Sequence, residues 1–340
     1  MECGSLISSS PGKVWLGWGA RYWLDAAATN QNLSFYFPDY FLSDQKPWFI
    51  HHNFIELEAE KLLQMLKKEF SERPKFDWTN QSQTFFEQAF NELQKRFRSG
   101  ELQKGVPFVF ETSKGMPSPA NLVHFLIHAL EYTAKHPVFI YGFWDQDKGL
   151  LGSTPELLFR QHTDLLETMA VAGTCFKEDY EKIFNDPKIM SEHQLVVEGI
   201  HESMRPFGSI SSKPLQLLQL SNICHLITPI FVKMTQKIQL KSLIQALHPT
   251  PALGAFPKQN GMKWLQDYEK TLPRERFGAP VGFLPPRGGM TCYVAIRNLQ
   301  WSEGVMKIGA GCGVVAESDL EKEWQEIKLK IKSIRNIIGA

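Results

Sequence analysis

The chain has almost no excess of charge: 37 Lys and Arg against 36 Asp and Glu leave a formal net charge of +1. That balance supplies no electrostatic footprint for nucleic acid, and a 43% hydrophobic composition does not describe a disordered tail. No apolar run approaches the roughly 18 residues of a membrane span, and Met1 to Ser10 has neither a basic n-region nor a long apolar core, so no membrane anchoring is expected. Cysteines are few and scattered: Cys3, Cys175, Cys224, Cys292 and Cys312 are odd in number and lack CxxC spacing. A disulfide framework or a zinc site is therefore not indicated, and a reducing, cytoplasmic location is the expectation. Gly17 and Gly19 lack the third glycine and following helix of a dinucleotide fingerprint. The length of 340 residues fits one large domain or two ordinary ones.

What is present alternates between short strands and amphipathic helices, which predicts a large α/β or α+β domain. Val14–Trp23 and Leu33–Phe37 read as strands, and Phe54–Phe70 carries leucines at helical spacing. A second helix is predicted over about Gln83–Arg98, where Phe86, Phe90, Leu93 and Phe97 form one core-facing stripe. Glu101–Glu111 reads as a strand with Lys104 at its start, where apolar neighbours would lower the amine's pKa; a solvated charge is the plainer alternative. A helix over about Ala120–Lys135 precedes a hairpin-like pair, Val138–Phe143 and a run through Ser153–Phe159. Glu156 interrupts that second run as either an edge residue or a carboxyl in a pocket. Thr168–Thr174 is a small-residue strand ending at Gly173, Asp186–Glu198 reads as a helix with Glu192-His193 in its early turns, and Thr291–Asn298 reads as a strand holding Arg297.

Near the end, Ile308-Gly309-Ala310-Gly311-Cys312-Gly313 leads through Ser318-Asp319 into a helix. Glycines let a backbone approach a ligand, and the following helix start, with Ser318 or Asp319 as N-cap, suits an anion. Glu323, Glu326 and Lys330 fall on one face of that helix, as they would for surface pairing or for a site.

Taken together, Ser-Thr-Pro-Glu156, Val-Ala-Gly-Thr174, Glu192-His193, His225-Leu226, His-Pro-Thr-Pro-Ala252, Pro-Val-Gly282, Ala-Ile-Arg297, Gly-Cys-Gly313 and Ser-Asp319 with Glu323 and Glu326 resemble, in order and spacing, the chorismate-utilising enzymes: isochorismate synthase, salicylate synthase, and the large subunits of anthranilate and aminodeoxychorismate synthase. The resemblance spans roughly Phe86–Ile337. It implies an α+β fold in which two antiparallel sheets pack together beneath helices, with a deep cleft between them. Residues 81–340 would form the chorismate-binding catalytic domain, and residues 1–80 a divergent N-terminal part of it. Carried over residue by residue, Glu192, Glu323 and Glu326 would hold one Mg²⁺. The substrate would meet Ala172, Gly173, Thr174, His225, Ala252, Arg297, Lys330 and the amides of Gly311, Cys312 and Gly313. Lys104 marks the water-adding members, and Ala252 resembles the isochorismate synthase form. The implied reaction has Lys104 as general base on water and Glu156 as general acid on the departing hydroxyl. The alternatives are salicylate synthase, an amine-adding subunit that needs an amidotransferase partner, and a non-catalytic chorismate-binding protein. The resemblance leaves a monomer or a homodimer open.

Overall fold

Alternating side chains pair the first two strands of the computed structural model, which describes residues 3–28, 31–79 and 83–340. Gly4–Ser10 and Lys13–Leu24 form a hairpin that places Leu6 against Leu16. Gly12 turns it with φ +77°, a conformation in which a Cβ would be strained. Met1 and Glu2, the start of the segment in which no leader features were expected, lie outside the described residues.

Among the described residues, sixteen strands join in one antiparallel sheet, fifteen of them along a single hydrogen-bonded path and Gln216–Gln219 pairing beside it with Ile223–Met234. Its first half runs from Gly208–Ser212 through Ile223–Met234, Leu165–Phe176, Leu157–Gln161, Thr291–Val294 and Pro280–Leu284 to Ser34–Tyr36. The second half runs from Trp48–Glu58 through the N-terminal hairpin, Phe139–Trp144, Lys148–Thr154, Asn298–Ser302 and Val305–Gly311 to Phe108–Lys114. The halves meet where Phe35 pairs with Phe49, and from there the sheet folds over on itself. Val281, Phe283 and Tyr293 from the first half bury against Ile7, Tyr141, Phe143 and Leu150 from the second. Phe139 stacks on Tyr293 at 4.5 Å, and the Tyr293 hydroxyl donates to the Ser8 carbonyl at 2.8 Å. The two packed sheets expected from the resemblance are thus one ladder whose halves face each other as layers.

Helices cover both outer faces. Gln83–Arg98, Pro119–Lys135, Lys258–Thr271 and Leu320–Ile338 pack on the second half, and Pro187–Met204 and Leu240–Leu247 on the first. Local chemistry sets the ends of three of these helices. Ser118 and Asn121 form a reciprocal cap. Asp186 accepts from the amides of Lys188 and Ile189 ahead of Pro187. Asp319 accepts from the Lys322 amide, while Gly339 ends the last helix in the left-handed region. Trp324, Ile327, Ile331 and Ile334 give that helix its buried stripe. Among the described residues no helix is long and apolar enough to cross a membrane.

Three predicted elements differ. Phe54–Glu58 stays extended, with Leu57 opposite Val14, and only Ala59–Leu66 is helical. Strand pairing there satisfies the backbone before a helix can start. The run expected from Glu101 splits into Lys104–Gly105, paired with Ala255–Phe256, and Phe108–Lys114, because Pro107 brings no N–H to a ladder. Arg297 lies outside a strand, between Thr291–Val294 and Asn298–Ser302, at φ +54°.

Candidate active site

The folded sheet and the helices Pro187–Met204 and Leu320–Ile338 enclose a cleft. Glu156 enters it from the break between Lys148–Thr154 and Leu157–Gln161. Its amide donates to Thr154 Oγ1 at 3.2 Å and its carbonyl accepts from the Val294 amide at 3.1 Å, so the backbone is fixed while the carboxyl is buried in the cleft wall. Burial pushes that carboxyl up to about 7, against the opposing charges of Lys104 and Lys330.

Opposite, the ladder between Leu165–Phe176 and Ile223–Met234 slips one residue between Ala172 and Thr174, with Gly173 at φ +75°. A Cβ on Gly173 would stand 2.7 Å from Ile189 Cγ2, so glycine permits the close approach of the Pro187–Met204 helix. His193 locks this approach: its ring bonds to Thr228 Oγ1 at 2.8 Å and to the Ala172 carbonyl at 3.2 Å, a structural use of that histidine. The bulge aims Thr174 at His225, whose Nδ1 lies 3.2 Å from Thr174 Oγ1. Arg297 Nη2 donates to His225 Nε2 at 2.8 Å. An Nε2 that accepts requires the neutral tautomer with its proton on Nδ1. Burial and the Arg297 charge hold the imidazole well below its usual range, which agrees. Arg297 Nη1 is buried with no partner, a guanidinium donor free for an anion.

The remaining wall is ionic. Lys330 bonds to Glu326 at 2.6 Å and to the Gly311 carbonyl at 2.8 Å. Glu192 lies 3.5 Å from Lys104 and 3.1 Å from Lys188, and Lys188 also reaches Glu323 at 2.7 Å. Burial and the neighbouring Glu326 charge raise Glu323 to about 7. For Glu192, burial acts upward, but the Lys188 and Lys104 ammonium groups outweigh it and hold the carboxyl low. Lys104 is wholly buried and donates to the Pro251 carbonyl at 2.8 Å; desolvation lowers its pKa despite Glu192.

The predicted residues therefore fall into two groups. Glu156, Ala172, Gly173, Thr174, Glu192, His225, Ala252, Arg297, Gly311, Gly313 and Lys330 line the cleft. Glu323 and Glu326 line a second, adjoining cavity that Thr174 shares. Lys104 stands directly behind Gly313, where a Cβ would meet its Cε at 2.8 Å and collide with the Glu192 carboxylate. Cys312 is the exception. Its side chain turns into the core and its amide already donates to the Pro107 carbonyl at 3.3 Å, since alternation along the extended segment puts it on the face away from Gly311 and Gly313. Sequence reasoning missed Lys188; its place four residues before Glu192, on the same helix face, was the available signal.

Residues 41–339 match the family model described as chorismate binding enzyme. The chain belongs to the chorismate-binding enzymes. The "Salicylate biosynthesis isochorismate synthase" of Pseudomonas aeruginosa is 33% identical over 200 residues, 56% of this chain and 42% of that protein. The "Isochorismate synthase MenF" of Haemophilus influenzae is 29% identical over 281 residues, 79% of this chain and 61% of that one. The chain spans about half the length of the curated relatives it matches. Among solved structures, MenF, the menaquinone-specific isochorismate synthase from Escherichia coli, superposes with a TM-score of 0.78 at 20% identity, over 99% of this chain and 88% of that one. That likeness establishes the fold.

Chorismate-binding enzymes are in general metal-dependent, and in this one the donor chemistry fits a hard cation. Glu192 and Glu323 are buried carboxyls, Glu326 is a partly buried one beside them, and Glu323 Oε2 has no hydrogen-bond partner. Among the described residues, no group of three or more His, Cys, Asp or Glu side chains forms a ready cage, and the Lys188 ammonium lies between Glu192 and Glu323.

Proposed function

We propose that this chorismate-binding enzyme is a Mg²⁺-dependent isochorismate synthase. One observation carries the reading: a glutamate in the cleft wall and a lysine buried directly behind Gly313 of that wall have protonation equilibria displaced in opposite senses, Glu156 upward to about 7 and Lys104 downward. A base that must start neutral and an acid that must start protonated need those displacements at neutral pH. Lys104 takes a proton from water as its oxygen bonds to C2 of chorismate. Glu156 gives its proton to the C4 hydroxyl, which leaves as water, and the ring double bonds shift. One water enters and one departs, so the reaction is an isomerisation. Arg297 and Lys330 supply the cationic and donor groups for substrate carboxylates, and neutral His225 holds Arg297 in place. Mg²⁺, held by Glu192, Glu323 and Glu326, would neutralise the ring carboxylate.

The test is to incubate the protein with chorismate and Mg²⁺, with and without ammonia, and separate the products by chromatography. Isochorismate formed without ammonia, and abolished by a chelator, is the expected result. Salicylate or an aminated product would move the chain to a sister activity. Chorismate-dependent thermal stabilisation without turnover would make it a binding protein. Lys104→Ala should lose most turnover, on the order of 10²- to 10⁴-fold, while Mg²⁺ still binds.

A further inference from the structure

Lys188 has no part in the acid–base step, yet its ammonium sits where a cation for the carboxylate cluster belongs. It lies 3.1 Å from Glu192 Oε2 and 2.7 Å from Glu323 Oε1, on a side chain less than a fifth exposed. Mg²⁺ requires oxygens at about 2.0–2.1 Å, and an ammonium sharing the same two oxygens leaves it no room. Charge gives the same answer. With Lys188 and Lys330 in place, and Lys104 3.5 Å from Glu192, the three carboxylates already face three amines inside the protein. A divalent ion adds two positive charges to that cluster, and burying the surplus is costly. Withdrawal of Lys188 reduces the surplus.

The surroundings supply both a landing point and an exit. Glu323 Oε2 is the one oxygen of that carboxylate left without a partner. Lys188 springs from the first turn of its helix and also lines the adjoining cavity, whose rim carries Asp179, Asp186, Glu317 and Asp319 together with Lys182 and Lys322. A four-carbon stem can therefore swing from the cluster to an acidic rim without moving the backbone.

We infer that Lys188 is the resident counter-cation of the cluster: its ammonium holds Glu192 and Glu323 together before metal arrives and must move to the rim for the metal to bind. Lys188 is thus a positioning residue that sets metal affinity. The inference rests on the metal reading above.

Two measurements test it. In calorimetric titration with Mg²⁺, Lys188→Met, which keeps the length and removes the charge, should bind on the order of 10- to 100-fold more tightly, because a site blocked most of the time loses affinity in proportion to its open fraction. Lys182→Met, on the same rim but paired only with Asp179, is the control for general charge and should change the Kd by no more than about 3-fold. In the wild-type protein, reductive methylation read by peptide mass spectrometry should show Lys188 protected without Mg²⁺ and modified with it, a readout that needs no folded variant. A measurable Kd that is equal or weaker in Lys188→Met, or Lys188 labelling that Mg²⁺ leaves unchanged, would overturn the inference alone. Absence of Mg²⁺ binding in both wild type and variant would overturn it together with the metal reading.

Discussion

Replacing Glu156 by Gln tests the cleft through stability as well as activity. The carboxyl rises from 4.5 to about 7 on folding, so the folded chain keeps a proton that the unfolded chain releases between those values. The folded state then binds more protons, and stability falls as pH rises through that window, levelling off above about 7. A displacement of about 2.5 units corresponds to roughly 3 kcal/mol in full, of which about 2.5 kcal/mol falls between pH 5 and pH 8. Gln mimics the protonated acid and avoids this cost. At about 2.1 cal/mol/K per residue, 340 residues give an unfolding entropy near 700 cal/mol/K, so the variant should gain roughly 3–4 °C in Tm relative to wild type from pH 5 to pH 8. Thermal unfolding of both proteins at four pH values measures it, and turnover should fall on the order of 10²- to 10⁴-fold in the same variant. A Tm difference that does not change with pH would refute the buried-acid assignment; full turnover would refute its catalytic role.

Gly313→Ala should fold, since the obstruction involves side-chain ends, but its Cβ displaces Glu192 and Lys104 together; turnover should drop about 100-fold, as misplacement by an ångström can cost that much. A near wild-type rate would mean the glycine is not needed for the approach. Arg297→Lys removes the unpartnered Nη1 and the bond to His225, so KM for chorismate should rise roughly 10- to 100-fold, the worth of a charge-assisted bond. An unchanged KM in steady-state assays would place the substrate carboxylate elsewhere.

Local chemistry in the sequence settled a good part of this protein. The Phe86, Phe90, Leu93 stripe specified the helix Gln83–Arg98, Asp186-Pro187 the start of another, and Asp319 the start of the last. Glu326 and Lys330 are paired because helical spacing alone puts them on one face. Long-range pairing decided the rest. Only the ladder with Lys13–Leu24 keeps Phe54–Glu58 from joining a helix, and only the fold of one sheet onto itself brings Glu156, His225, Arg297 and Gly313 around a common cleft. Burial is likewise a tertiary property: nothing near Lys104 or Glu156 in the chain fixes how much water each loses, and that loss is what moves their proton affinities in opposite directions. The same limit explains Cys312 and Lys188. The first belongs to the glycine motif yet faces the core; the second sits beside hydrophobic residues in sequence, and only the meeting of two helices makes it the cation between two carboxylates.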